Sequence, residues 1–144
     1  MDTEANPVDQ EMLINKPAID DVIAGIIAHS KLDIFSSNRK DLHTFFRNLK
    51  ADPEFDELLM DVVFSKGADL FQFSRTLENT LVRLQLGGLI YAKNPEYNKY
   101  GMTPEARAKT LEKAKKRFSV PQMKTLEKAG RSFSKKFSGH TPTA

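Results

Sequence analysis

The sequence predicts a mainly α-helical fold carrying one small β-hairpin. Three observations predict it. Apolar residues recur at helical spacing from Ile19 to Phe137. Helix-start residues stand before several of these runs, most clearly in Asp52-Pro53 and Thr103-Pro104-Glu105. A single strand–turn–strand pattern lies between Leu89 and Met102.

Residues 1–17 read as a flexible acidic lead-in, with Met12, Leu13 and Ile14 placed to tuck against the body. Ile19, Val22, Ile23, Ile26 and Ile27 then predict a helix over 18–31 with one broad apolar face, where Gly25 permits a close packing contact. Asp41 is the expected N-cap of a short helix that turns Leu42, Phe45, Phe46 and Leu49 inward. Asp52 caps the next helix and Pro53 takes its first position, where the missing N–H costs nothing. Phe55, Leu58, Leu59, Val62 and Val63 carry that helix to Lys66-Gly67, with Gly67 as a left-handed cap.

Leu70 to Phe73 alternates, and Ser74 is the N-cap of a helix over Arg75–Leu86 with a Leu77, Leu81, Leu84 stripe. Gly87-Gly88 stops it. Leu89-Ile90-Tyr91 reads as a strand, Asn94-Pro95 starts a turn, and Tyr100-Gly101-Met102 returns. From Thr103 a helix runs to Phe118, with Ala108, Leu111, Ala114 or Lys115, and Phe118 on one side. A second start at Ser119 to Pro121 leads a helix whose seam is Met123, Leu126, Gly130, Phe133 and Phe137. Lys124, Lys128, Arg131, Lys135 and Lys136 line its more exposed positions. The expected organisation is therefore a flexible segment 1–17, a domain over 18–118 with an added N-terminal helix, a basic amphipathic helix over 119–137, and a frayed tail over 138–144.

From Glu54 the order is helix, turn, helix, strand, polar loop, strand, helix: a helical pair followed by a tight two-stranded wing. This predicts a winged helix-turn-helix with N- and C-terminal accessory helices. The helix over 75–86 would enter a DNA major groove and the wing over 93–99 would lie beside the backbone. The segment "LVRLQLGGLIYAKNPEYNKYGMTPEARAK", Leu81 to Lys109, resembles the recognition-helix end, wing and following helix of PadR-like and MarR-like regulators. The matching pieces are Leu84, Gly88-Leu89-Ile90, and Tyr100-Gly101-Met102-Thr103-Pro104-Glu105; Ala106 stands where Gly is commoner. With the helical pair included, the resemblance spans residues 54–117, and it implies a DNA-binding regulator.

Gln72, Arg75, Asn79 and Arg83 are the candidates for base or groove contacts, because Arg bridges two acceptors on guanine and Asn pairs bidentately with adenine. Ser74, Lys93 and Lys99 are the phosphate candidates, although a helix cap is the better account of Ser74. Glu78, on the same helix, would repel phosphate unless it faces away or reads a cytosine amino group.

The chain has a formal net charge of only +3, unevenly distributed. Residues 1–21 carry net −5 and residues 107–136 carry net +9. The positive segment would attract a polyanion or an acidic protein, and the acidic start could partly cover it. The seam formed by Leu111, Phe118, Met123, Leu126, Phe133 and Phe137 has two readings, a homodimer or partner contact and a fold-back onto the N-terminal helix.

The sequence contains no cysteine, which excludes disulfides, thiolate metal sites and a cysteine nucleophile. The three histidines, His29, His43 and His140, fall in different predicted elements, and His43 beside Asp41 reads as local polarity. No zinc-protease motif, phosphate-binding glycine loop or serine nucleophile elbow occurs, so neither enzyme nor cofactor nor metal is expected. The acidic N-terminus and a longest apolar run of seven residues, Val22–Ala28, predict no signal, no integral membrane association and a cytoplasmic location. The leading expectation is a dimeric, sequence-specific regulator of double-stranded DNA. The alternatives are a protein-interaction module (adaptor, antitoxin-like component or complex subunit) and an electrostatic surface binder.

Overall fold

The computed structural model describes residues 18–66, 72–93 and 99–138. The lead-in, Gly67, the Leu70-Phe71 pair, the wing tip at 94–98 and the tail from 139 lie outside the described residues.

The first helix, α1 (Ile19–Ser30), is buried on all sides and not on one face, with Val22 through Ala28 all in the core. Three later helices pack against it, which is why its small residues Ala24, Gly25 and Ala28 are as buried as its isoleucines. Lys31 closes it in the left-handed region at φ 61°. Strand β1 (Ile34–Ser36) follows, an element too short to predict from alternation.

Helix α2 spans Arg39–Ala51. Its N-cap is Asn38 and not Asp41: the Asn38 side chain accepts the Asp41 N–H at 2.9 Å, which puts Asp41 inside the first turn. The helix expected from Pro53 to Lys66 shrinks to α3 (Pro53–Asp56), capped by Asp52 as anticipated. Beyond it the chain proceeds by turns that still bury Leu59 and Val62. The run Val62-Val63-Phe64 favours extended backbone, and Lys50 Nζ takes the Val62 carbonyl at 2.5 Å. Strands β2 (Ser65–Lys66) and β3 (Gln72–Phe73) then pair antiparallel.

Helix α4 (Arg75–Leu86) is capped by Ser74 and buries Leu77, Thr80, Leu81 and Leu84. Strands β4 (Tyr91–Ala92) and β5 (Lys99–Gly101) form the hairpin, and β1 joins them in a three-stranded antiparallel sheet of order β1-β5-β4. Helix α5 (Pro104–Arg117) starts at the Thr103 cap. Its buried face is Ala106, Thr110 and Ala114, with Ala108 turned outward, because small residues allow α5 to approach α1 closely. Ser119 and Gln122 cap each other reciprocally at the start of α6 (Val120–Ser138).

Helix α6 packs back along α1. Leu126, Phe133, Phe137 and Phe118 are all buried within the chain, and Leu111 and Met123 pack partly buried against the same core. The six residues thus pack within the chain, as the fold-back reading has it, with Leu111 and Met123 left partly exposed. Phe133 meets Phe35 and Phe45 edge-on at 5.2 and 5.3 Å and lies 4.5 Å from Phe137, so one aromatic cluster ties β1, α2 and α6 together. Such pairs each add about 0.5–1.5 kcal/mol beyond area burial. The result is a mainly α-helical domain with a small three-stranded antiparallel sheet flanked by helices, a generic winged-helix-like architecture.

Candidate nucleic-acid interface

Helix α4 presents one exposed stripe, Arg75, Asn79, Val82 and Leu86, at helical spacing. Two of the four predicted groove residues, Arg75 and Asn79, therefore stand together on the surface. Val82 and Leu86 continue the stripe, 49% and 82% exposed.

Arg83 has a different occupation. Its Nε and Nη2 donate to the two carboxylate oxygens of Asp20, each at 2.7 Å, and Nη2 also reaches Thr80 Oγ1 at 3.2 Å. The Arg83 guanidinium holds the Asp20 carboxyl below its ordinary value, against the opposing effect of burial. Arg83 thus fastens α4 to the first turn of α1, where an acid is favoured by the helix dipole. Its partner lies 63 residues away.

Ser74 is fully buried, and its hydroxyl accepts the Leu77 N–H at 3.1 Å. The cap reading holds, and the hydroxyl is withdrawn from any phosphate. Gln72 is placed by its backbone, in β3. Lys93 and Lys99 flank the hairpin loop, Lys93 exposed and Lys99 half-buried, and the Lys93 N–H donates to the Lys99 carbonyl at 2.8 Å.

Glu78 and His43 change roles most. His43 is fully buried on α2. It does not pair with Asp41. Its Nδ1 accepts the Ser74 N–H at 3.0 Å, which leaves the ring proton on Nε2, 2.8 Å from Glu78 Oε2. The same carboxylate oxygen accepts from Arg39 Nε at 3.2 Å. The Phe73 ring stacks on His43 at 4.8 Å, and the Arg39 guanidinium lies 4.3 Å from the Phe73 centroid. Burial lowers the His43 pKa below its ordinary value, with the Glu78 hydrogen bond working the other way. The spacing of α2 and α4 residues offers no signal for this cluster; an apolar-face histidine beside Leu42 was the one hint.

The basic C-terminal segment divides into two groups. Arg107 donates to the Ala28 and Leu32 carbonyls at 2.7 and 2.6 Å, closing the C-terminal end of α1. Lys113 and Arg117 pair with Asp21, and Lys128 with Glu54. Lys109, Lys115, Lys116, Lys124, Arg131, Lys135 and Lys136 are exposed.

Among the described residues no group of three or more acidic or histidine side chains converges as metal ligands, and no helix is long and apolar enough to cross a membrane. Comparison of the chain with protein-family models, curated proteins and solved structures yields no match.

Proposed function

We propose that the protein is a winged helix-turn-helix regulator of the PadR-like or MarR-like kind, which binds double-stranded DNA sequence-specifically through α4 and acts by occupancy, without chemistry. The observation that carries this reading is the surface of α4. Arg75 and Asn79 stand exposed one turn apart, while the helix's one acid, Glu78, is paired with Arg39 and His43. Lys93 and Lys99 supply phosphate contacts beside the hairpin. A dimer on a palindromic site would use exposed surface, since the α6 seam is internal.

The experiment is selection from a random duplex pool with full-length protein at two salt concentrations. An enriched motif, with affinity falling as salt rises, supports the reading. A palindromic motif supports the dimer. Absence of duplex binding at low salt overturns both.

Leu86 and Val82 favour a second reading, a protein-interaction module. Exposed apolar side chains beside polar ones on a single helix face suit a partner helix. Stable capture of a protein partner that L86E abolishes, with no DNA affinity, would support it.

A further inference from the structure

We propose that Arg39 and His43 keep Glu78 out of the DNA interface, with Arg39 cancelling its charge and His43 fixing both the carboxylate and the start of α4. The inference rests on the DNA-binding reading above. A carboxylate on a groove-facing helix either reads a base or repels phosphates, and here a third condition is built.

The geometry is specific. Glu78 Oε2 takes two donors, His43 Nε2–H from the buried side and Arg39 Nε from the exposed side. His43 is fully buried and Arg39 about half exposed. Because Nδ1 of His43 is occupied by the Ser74 N–H, the ring is held as the Nε2–H tautomer. The one imidazole therefore satisfies a backbone donor at the N-cap of α4 and orients an acid one turn further along. It is neutral, so it supplies direction without charge. The compensating positive charge is Arg39, itself held in place by lying against Phe73. Arg39 is a charge-masking residue and His43 a positioning residue; neither is assigned a base contact.

The assignment predicts a pattern of rescue. R39A unmasks a negative charge beside the duplex and weakens binding by about tenfold. E78Q preserves the hydrogen bond from His43 but leaves the Arg39 charge uncompensated, so it binds as tightly as the wild type or more tightly, with the selected motif unchanged. R39A/E78Q returns to within about threefold of wild type. R39K, which keeps the charge but loses the planar group over Phe73, binds more tightly than R39A. Thermal melts accompany each variant, and if R39A does not fold, E78Q carries the test. A loss in R39A that E78Q does not rescue would mean that Arg39 itself contacts DNA. A changed motif in E78Q would mean that Glu78 reads a base. Either result overturns the proposal.

The wild-type measurement comes first and separates the two levels: no duplex binding refutes the functional reading and this inference with it. The His43 part has its own readout in imidazole 15N shifts, measured without DNA. An Nε2-protonated ring is expected, and an Nδ1-protonated ring would refute the positioning role.

Discussion

The two glycines at the crossing of α6 over α1 should respond differently to the same substitution. A methyl group at position 130 would lie 2.5 Å from His29 Cβ, 2.8 Å from the His29 carbonyl carbon and 3.0 Å from the Ser30 nitrogen. Two of these atoms are backbone, so α6 has to lift away from α1 by about 1 Å to restore ordinary contact. At position 25 the nearest atoms are the Leu126 methyls, at 3.3 and 3.5 Å, the ends of a side chain that can rotate. In both cases alanine returns about 1 kcal/mol of helix propensity. Overpacking against backbone costs up to about 3 kcal/mol, so G130A should lose about 2 kcal/mol net, while G25A should be unchanged or slightly more stable. Urea unfolding at fixed pH measures both, and a loss of that size moves the midpoint by about 1 M for a domain of this length. A G130A protein as stable as wild type would refute the packing of α6 on α1. It would also reopen the possibility that the Leu126–Phe133 seam faces another molecule.

Acidification should destabilise the protein through its buried imidazoles. Burial lowers both His43 and His29 below the ordinary value of 6.5, so the unfolded chain takes up protons first; the stabilisation is full above about pH 6.5 and is lost as pH falls through the folded values. The charged groups acting on His43 are Glu78 and Arg39, and those acting on His29 are Glu127 and Lys31. The urea midpoint should fall between about pH 7 and about pH 5, less steeply in H43Q; a midpoint that rises would contradict the burial argument. Lys31 holds a left-handed backbone conformation at φ 61°, and K31G should stabilise the protein by about 1 kcal/mol in the same assay. If α4 binds DNA as proposed, R75A should weaken duplex binding about tenfold and R83A no more than about twofold, since Arg83 is occupied by Asp20; equal losses in a titration would argue against that division of labour.

The elements that were legible in the sequence are those whose signal is local. Thr103-Pro104, Ser74 and Asp52-Pro53 cap helices where they were expected to. Strand β1 was not legible, because three residues carry no period, and its pairing partner β5 lies more than sixty residues on. The helix after Pro53 was misread because the spacing of Phe55, Leu59 and Val62 fits a helix and equally fits a series of turns burying the same side chains. The seam of α6 was correct in its residues and undecided in its partner: an apolar stripe is the same whether it meets a second copy or its own N-terminal helix. Of the candidate interface, Arg75 and Asn79 were legible as exposed helix positions. The roles of Arg83, Glu78 and His43 were not, since each is set by a partner 31 or more residues distant.

The charge asymmetry of the chain is smaller at its surface than in its sequence, and this bears directly on how the proposed DNA binding should depend on salt. Asp20 and Asp21 occupy the first turn of α1 and draw in Arg83, Lys113 and Arg117 from two other helices. Lys128 is held by Glu54, and Arg107 by backbone carbonyls. Part of the net +9 of residues 107–136 is thereby neutralised by ion pairs within the chain. Besides the ion-paired Lys113, Arg117 and Lys128, seven further exposed cations stand on α5 and α6, and Arg75, Lys93 and Lys99 are the candidates near α4. Each phosphate neutralised contributes about −0.9 to the slope of log affinity against log salt. Binding through α4 and the hairpin alone predicts a slope of about −3, and engagement of the α5–α6 cations as well would take it well beyond about −6. A slope near the smaller figure, unchanged in a variant with Lys115 and Lys116 neutralised, would confine the interface to α4 and the hairpin. A steep slope that the same variant flattens would place the C-terminal helices on the DNA backbone.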